Sequence, residues 1–165
     1  MKSIYYAFST ACALPWKGRK LRYILNMTQN KKIFASSAEL NLSEEEWRQR
    51  LSPEQYRVMR CEGTECAGLS PLNDEKRAGM FHCAACDAEL FASGTKFESG
   101  TGWPSFYAPL PGSVGTKRDM KFGMIRTEFH CARCGGHLGH VFEDGPHPTG
   151  LRYCTNGVAL RFIPE

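Results

Sequence analysis

Cys131-Ala132-Arg133-Cys134-Gly135-Gly136-His137-Leu138-Gly139-His140-Val141-Phe142, closed after a Gly/Pro-rich turn by Arg152-Tyr153-Cys154-Thr155-Asn156, is the stretch on which this chain turns. It holds a Cys-x-x-Cys pair (Cys131, Cys134), two histidines at a three-residue interval (His137, His140) and a cysteine outside any pair, Cys154. Arg152 precedes that cysteine by two residues and Asn156 follows it by two. The thiolate is the reactive form of cysteine, and nearby positive charge favours it, so Cys154 is a candidate nucleophile. A cysteine in an arbitrary strand is more often a small core residue. The cation, the amide and the imidazoles set this one apart.

A second pair, Cys83-Ala84-Ala85-Cys86, lies upstream, with 44 residues between the two pairs. Each pair can offer two thiolates to one ion from a tight turn, and two such turns complete a tetrahedron. Zinc suits four sulfurs, is redox-silent and, with no open position, is expected to be structural. Haem attachment would need a histidine directly after the second cysteine, where Asp87 and Gly135 stand. A thioredoxin-type redox role for one pair would leave the other unexplained, although iron could occupy the same four thiolates.

Outward from this frame, the texture from Gly79 onward is that of short strands. Apolar runs at Met80-Phe81, Leu90-Phe91, Phe122 to Phe129, Leu138 to Phe142 and Val158 to Ile163 alternate with Gly, Pro and Asn/Asp clusters. Residues 79–163 are expected to form an antiparallel β domain. Two short helices are expected before it. Ser43-Glu44-Glu45-Glu46 is a capping box ahead of Trp47 and Leu51, and Ser52-Pro53-Glu54-Gln55 repeats the signal with proline at the first helical position. Arg60 to Gly68 reads as a loop carrying Cys61 and Cys66.

A chain of 165 residues, 42% of them hydrophobic and 12% aromatic, can bury a real core. No apolar run approaches the ~20 residues of a membrane span. Eight cysteines, four of them in two pairs, point to metal and redox chemistry in a reducing, cytoplasmic setting more than to a secreted disulfide scaffold. The net charge of +4 misleads, because residues 1–38 carry seven Lys/Arg and no acid. The rest of the chain is therefore at −3, which argues against nucleic acid as a partner. Residues 1–35 are expected to be a basic, poorly ordered extension with no role for Cys12, and residues 36–165 a single domain. The extension has the composition of an organellar transit segment, whereas a start at Met27 would make its first part an artefact; the second reading is preferred.

These segments together resemble the methionine sulfoxide reductase B family, over Leu51 to Phe162. The resemblance is carried by Gly63-Thr64-Glu65, the pair Cys83/Cys86, Lys96-Phe97-Glu98-Ser99-Gly100-Thr101-Gly102-Trp103-Pro104-Ser105-Phe106, the pair Cys131/Cys134, His137 to Phe142, and Arg152 to Asn156. It implies two small antiparallel sheets, the β-tent, with a structural Zn2+ away from the nucleophile. It implies Cys154 as nucleophile, His137, His140 and Asn156 around it, Arg152 as the cation, and Trp103 and Phe142 on the substrate side. His137, Val141 and Asn156 match the cysteine-using members better than the selenocysteine-using ones. The implied activity is thiol-dependent reduction of methionine-(R)-sulfoxide in proteins or peptides, by a monomer with thioredoxin as electron donor. The chemistry agrees with the residues: a sulfoxide oxygen leaves only if protonated, so a thiolate must sit beside a proton donor, here His140 or His137.

The chain departs from the commonest pattern at Thr101, where many members carry the cysteine that resolves the sulfenic acid. Cys66 is the first candidate for that role and Cys61 the second; a third arrangement has no resolving cysteine and an external thiol. A competing class is a non-catalytic, zinc-held β module that binds a partner through the same aromatic pocket. Such a module has no use for a cysteine flanked by Arg152 and Asn156.

Overall fold

Two serine-led caps open the part of the chain that the computed structural model describes, residues 40–120 and 125–165. The Ser43 hydroxyl accepts from the Glu46 N–H at 3.3 Å while the Glu46 carboxylate accepts from the Ser43 N–H at 2.8 Å, starting α1 (Glu44–Arg50). Ser52 and Gln55 repeat the reciprocal pair, with Pro53 at the first helical position, to start α2 (Pro53–Met59). Seven residues are too few for a helix to persist alone, so tertiary packing must hold both. They bury Trp47, Leu51, Val58 and Met59 in the core. Arg60 then lies over the Trp47 ring at 5.0 Å and donates to the Cys134 carbonyl at 3.1 Å.

Nine strands follow among the described residues: β1 (Gly79–Cys83), β2 (Glu89–Ala92), β3 (Lys96–Phe97), β4 (Ser105–Phe106), β5 (Val114–Asp119), β6 (Arg126–Cys131), β7 (His137–Phe142), β8 (Arg152–Thr155) and β9 (Leu160–Pro164). They make a three-stranded sheet, β2-β1-β9, and a six-stranded sheet, β3-β4-β8-β7-β6-β5. Every pairing is antiparallel. The expected mainly β architecture, with two sheets and two short helices, is the one found. No helix among the described residues is long and apolar enough to cross a membrane.

The strands depart from the expected runs: β3, β4, β5 and β8 fall outside all of them, and the last run is only partly strand. β5 was not anticipated, because its sequence, Val-Gly-Thr-Lys-Arg-Asp, is polar. It is an edge strand, and charged side chains are what an edge tolerates. The run Val158 to Ile163 starts as a 3₁₀ turn (Gly157–Ala159) and becomes a strand only at Leu160. The first part of the expected run Phe122 to Phe129 lies outside the described residues, as do Cys12, Met27 and the basic extension.

Aromatic rings join the two sheets. Phe106 of β4 meets Phe81 of β1 edge-on at 4.9 Å and stacks on Phe91 of β2 at 4.2 Å, while Phe129 of β6 meets Tyr153 of β8 at 5.2 Å. Phe81, Phe91, Phe106 and Phe129 are fully buried. Because side chains alternate along a strand, giving this face to Phe106, Phe129, Val141 and Tyr153 gives the other to Ser105, Glu128, His140 and Cys154. Register then fixes neighbours on that second face: Ser105 opposite Cys154, Cys154 opposite His140, His140 opposite Glu128, and Glu128 opposite Lys117. At Gly139 a Cβ would stand 1.9 Å from the Cys154 carbonyl oxygen, so only glycine lets β7 approach β8 this closely.

Candidate active site

The four-thiolate frame forms at two turns built alike. In the first, the Asp87 N–H donates to the Cys83 carbonyl and the Cys83 N–H to the Ala88 carbonyl; in the second, the Gly135 N–H donates to Cys131 and the Cys131 N–H to Gly136. The residue after each pair has positive φ, +66° at Asp87 and +67° at Gly135. The two turns face each other with the four sulfurs within 4.8 Å of one another, all four cysteines buried. The closest approaches between pairs are 3.7 Å (Cys83 to Cys134) and 3.6 Å (Cys86 to Cys131). A tetrahedron with ~2.3 Å metal–sulfur bonds has edges of about 3.8 Å, so the residues fit a metal ion held by four thiolates. Arg133 donates to the Cys86 carbonyl at 3.2 Å, and Arg60 to that of Cys134, so one guanidinium braces each turn.

The second face of the large sheet carries the candidate catalytic group. Cys154 is a half-buried free thiol in β8. Arg152, two residues before it on the same face, is 8% exposed and binds both oxygens of Asp144 at 2.8 Å. Its guanidinium lies over the Phe142 ring at 4.4 Å. The salt bridge holds the Asp144 carboxyl below its ordinary range and the guanidinium above its own. Arg152 favours the Cys154 thiolate, as does the Thr101 hydroxyl, but burial is the larger influence and raises the thiol above its usual value. Desolvation in a half-buried strand thus works against the thiolate that the neighbouring cation favours.

Each histidine has its own carboxylate. His140 Nε2 lies 2.8 Å from Asp119 Oδ2, and that oxygen also accepts from Arg126 Nη2 at 2.7 Å. His137 Nδ1 lies 3.1 Å from Glu128 Oε1, out of line for a full hydrogen bond, with both side chains 3% exposed. Glu128 in turn meets Lys117 at 3.3 Å, and Lys117 meets Glu62 at 2.5 Å. Burial lowers the His137 pKa and Glu128 only partly restores it, so His137 is neutral near pH 7. The two rings are 5.5 Å apart.

The remaining expected residues converge on Glu65. The Asn156 amide is spent on backbone, with Oδ1 accepting from the Glu65 N–H at 2.9 Å and Nδ2 donating to the Leu138 carbonyl at 3.0 Å. The half-buried Trp103 donates through Nε1 to the Glu65 carbonyl at 3.2 Å. The Glu65 carboxylate accepts from the N–H groups of Gly157 and Val158 at 2.5 and 2.9 Å. One residue thus ties the Trp103 wall to the turn that follows Cys154. Cys61 is an exposed free thiol, and Cys66 is disulfide-bonded in this structure. The Cys66 loop packs on the Trp103 segment, where the Gly68 N–H donates to the Gly102 carbonyl at 2.8 Å.

Sequence reasoning assigned no role to Glu65, Asp119, Glu128 or Asp144. The only signal was the presence of Glu65 in the Gly-Thr-Glu motif; the other three are placed by strand register or by the turn after β7.

The fold and site define a class: a small β protein pinned by four thiolates, presenting one cysteine among a guanidinium, two carboxylate-backed imidazoles and the Ser105 hydroxyl of the neighbouring strand. Residues 51–164 match the SelR domain family. The chain is 55% identical over 128 residues to peptide methionine sulfoxide reductase MsrB of Leptospira interrogans, covering 77% of this chain and 98% of that protein. It is 60% identical over 122 residues to the protein of the same name in Pseudomonas putida strain W619 (73% and 92%), and 52% over 130 residues to that of Agrobacterium fabrum (78% and 96%). The chain belongs to the methionine sulfoxide reductase B family.

Proposed function

We propose that this chain reduces methionine-(R)-sulfoxide in proteins and peptides to methionine, with thiols as the source of electrons and Cys154 as the nucleophile. The observation that carries the reading is the cross-strand order Ser105–Cys154–His140 with Arg152 on the same face. Membership of a reductase family speaks against a non-catalytic binding module.

Trp103 offers an apolar wall for the substrate methyl group, and Phe142, stacked under Arg152, offers a second apolar surface. As the Cys154 sulfur attacks the sulfoxide sulfur, the thiol proton and the sulfoxide oxygen must both find places. His140, polarised by Asp119, is the general acid that protonates the departing oxygen. His137, neutral and buried behind it, supports the ring and relays the proton. The balance closes as thiol plus sulfoxide giving cysteine sulfenic acid plus thioether. A second thiol then condenses with the sulfenic acid, forming a disulfide and releasing water.

Cys66, once reduced, is the proposed source of that thiol, because its loop already touches the Trp103 segment; Cys61 is the alternative. Thioredoxin is the proposed external reductant. The metal is proposed to be zinc, which the four-thiolate donor set favours and which would hold the two turns together without taking part in the redox chemistry. Residues 36–165 are proposed to act as one catalytic unit, monomeric and in a reducing cytoplasmic setting, with 1–35 as a basic extension.

The test is consumption of each sulfoxide epimer of a methionine-containing peptide with dithiothreitol as reductant. The R epimer should be consumed, and Cys154→Ser should abolish that while keeping fold and metal, since a serine hydroxyl is a far poorer nucleophile towards sulfur. Turnover by Cys154→Ser near the wild-type rate would reject the assignment.

A further inference from the structure

Beside Trp103 lies a cavity of about 270 Å³, built from residues between Lys96 and Pro104 and from Asn73. Ligand pockets commonly measure about 300–1,000 Å³, so this one suits a single side chain better than a free ligand. It lies at the β3 edge of the large sheet, and both Lys96 and Phe97 of that two-residue strand line it. Phe97 stands opposite Ser105, and Ser105 opposite Cys154, so this edge is two strands from the candidate nucleophile. At ~4.8 Å per strand that is about 10 Å, the span of about three residues of an extended peptide.

Lys96 is the cation of the cavity. Its side chain is 7% exposed, and its ammonium donates to the Asn73 carbonyl at 2.7 Å. Asn73 is itself held, donating through Nδ2 to the Gly102 carbonyl at 3.1 Å, so the ammonium has a fixed post beside the Trp103 segment. An ammonium has three hydrogens to give, and Asn73 takes one. The carboxylate beside it, Glu98 Oε1, stands at 3.6 Å, beyond hydrogen-bond reach, and the Glu98 side chain is 67% exposed. No other acceptor meets the Lys96 ammonium among the described residues. Lys96 and Glu98 are also the only charged residues lining the cavity. A buried charge is costly unless it is paired and hydrogen-bonded. A tie to a carbonyl asks only for a neutral donor, whereas a shielded positive charge with hydrogens to spare calls for an anion.

We propose that this cavity is a subsite for an aspartate or glutamate side chain of the substrate, about three residues along the peptide from the methionine sulfoxide, with Lys96 as its cation. The proposal rests on the reading of the Cys154 face as a reductase site. Glu98 is the resident competitor: its carboxylate stands at the approach to Lys96 and, being exposed, swings out when a substrate carboxylate enters. Lys96 therefore selects acidic flanks, and Glu98 sets how strongly. The subsite holds ground state and transition state alike, so the preference appears in KM and not in kcat.

The experiment uses the full chain with dithiothreitol and N-acetylated, C-terminally amidated peptides that carry one methionine-(R)-sulfoxide. Glutamate or glutamine is placed at successive positions on either side of it, so that only a side chain supplies a carboxylate. With glutamate about three residues away on one side, KM should be about tenfold below that of the glutamine peptide at equal kcat. Lys96→Met should bring that ratio to one, Lys96→Arg should keep most of it, and Glu98→Gln should raise it severalfold. Equal KM values for every glutamate and glutamine pair in the wild type overturn the subsite. A ratio that persists in folded Lys96→Met overturns it too, and assigns the preference to another cation. A ratio lost in Lys96→Met but unmoved in Glu98→Gln overturns Glu98 as competitor and leaves Lys96 acting alone. If Lys96→Met does not fold, Glu98→Gln decides. Fluorescence anisotropy of the same peptides, labelled, on Cys154→Ser reads binding without turnover. A glutamate preference there, in a chain whose wild type consumes no sulfoxide, ends the reductase reading and keeps the subsite.

Discussion

Glu65 is the residue whose removal should cost most for least apparent reason. It lies on a loop before the sheets, yet its carboxylate receives two N–H groups of the turn after Cys154, its N–H is bound by Asn156 and its carbonyl by Trp103. Glu65→Ala leaves the Gly157 and Val158 donors in a buried place without a partner, at ~1–3 kcal/mol each. Relief from burying a carboxylate, whose pKa that burial raises, offsets part of this. A net loss of about 3 kcal/mol is expected, near 10 °C in melting temperature for a domain of this size. Glu65→Gln keeps one acceptor and removes the charge, so about 1 kcal/mol is expected there. The pH dependence separates the two effects. Because the folded pKa is raised, Glu65 contributes its full stability below the ordinary carboxylate pKa and loses it as pH rises through the raised value. The gap between wild type and Glu65→Gln should therefore narrow across that window. Thermal melts at several pH values, with KM for an R-sulfoxide peptide, provide the assay. Loosening of Trp103 should raise KM in Glu65→Ala more than it lowers kcat. A variant that melts within a few degrees of wild type with an unchanged KM would refute the account.

Other perturbations reach other parts of the molecule. Cys83→Ser should release the bound metal and lower the melting temperature, since metal binding is part of the folding free energy, with activity falling only as a consequence; one retained equivalent of metal at an unchanged melting temperature would sink the four-thiolate frame. His140→Ala should slow turnover by roughly 10²–10⁴-fold, and Asp119→Asn by less, both flattening the pH–rate profile; an unchanged profile in both would return His140 to a packing role. Starting from fully reduced protein, Cys66→Ser should leave a trappable sulfenic acid on Cys154, fail with thioredoxin and still turn over with dithiothreitol. If Cys61→Ser does this instead, Cys61 is the resolver, and if neither does, the enzyme works with one cysteine.

What the sequence made legible was local or fixed by spacing. Ser43/Glu46 and Ser52/Gln55 act within one helical turn, and both capping boxes formed as expected. The Cys-x-x-Cys turns are equally local, and chemistry alone brings the two together. β5 was not legible, because an edge strand needs little apolar surface and is defined by what it pairs with. The depth of Cys154 was not legible either. Arg152 at two residues' distance announces a cation, but the burial that outweighs it comes from β4 and β7 on either side, strands 12 to 49 residues away in sequence.

The supporting carboxylates show why the rest stayed hidden. Asp119 and His140 are 21 residues apart and sit on strands that do not pair with each other, with β6 between them. Asp119 reaches His140 because β5 pairs with β6 so that Asp119 lies opposite Arg126, and β6 pairs with β7 so that Glu128 lies opposite His140. A slip of one residue in either ladder would turn Asp119 or His140 to the aromatic face. The irregularity between Phe129 and His130 lets Glu128 serve His137 while standing opposite His140. The proton-handling side of the site is therefore a property of register across three strands. A substitution that shifts the β5–β6 ladder should impair His140 as surely as one at Asp119 itself. Gly115 is a place to test this: a Cβ there would stand 2.6 Å from His130 Nε2, so Gly115→Val displaces the His130 ring or, where the ring cannot yield, the β5–β6 ladder beside the four-thiolate frame. If the ladder is displaced in folded Gly115→Val while turnover and pH profile stay wild-type, alignment through the ladder is not what positions His140.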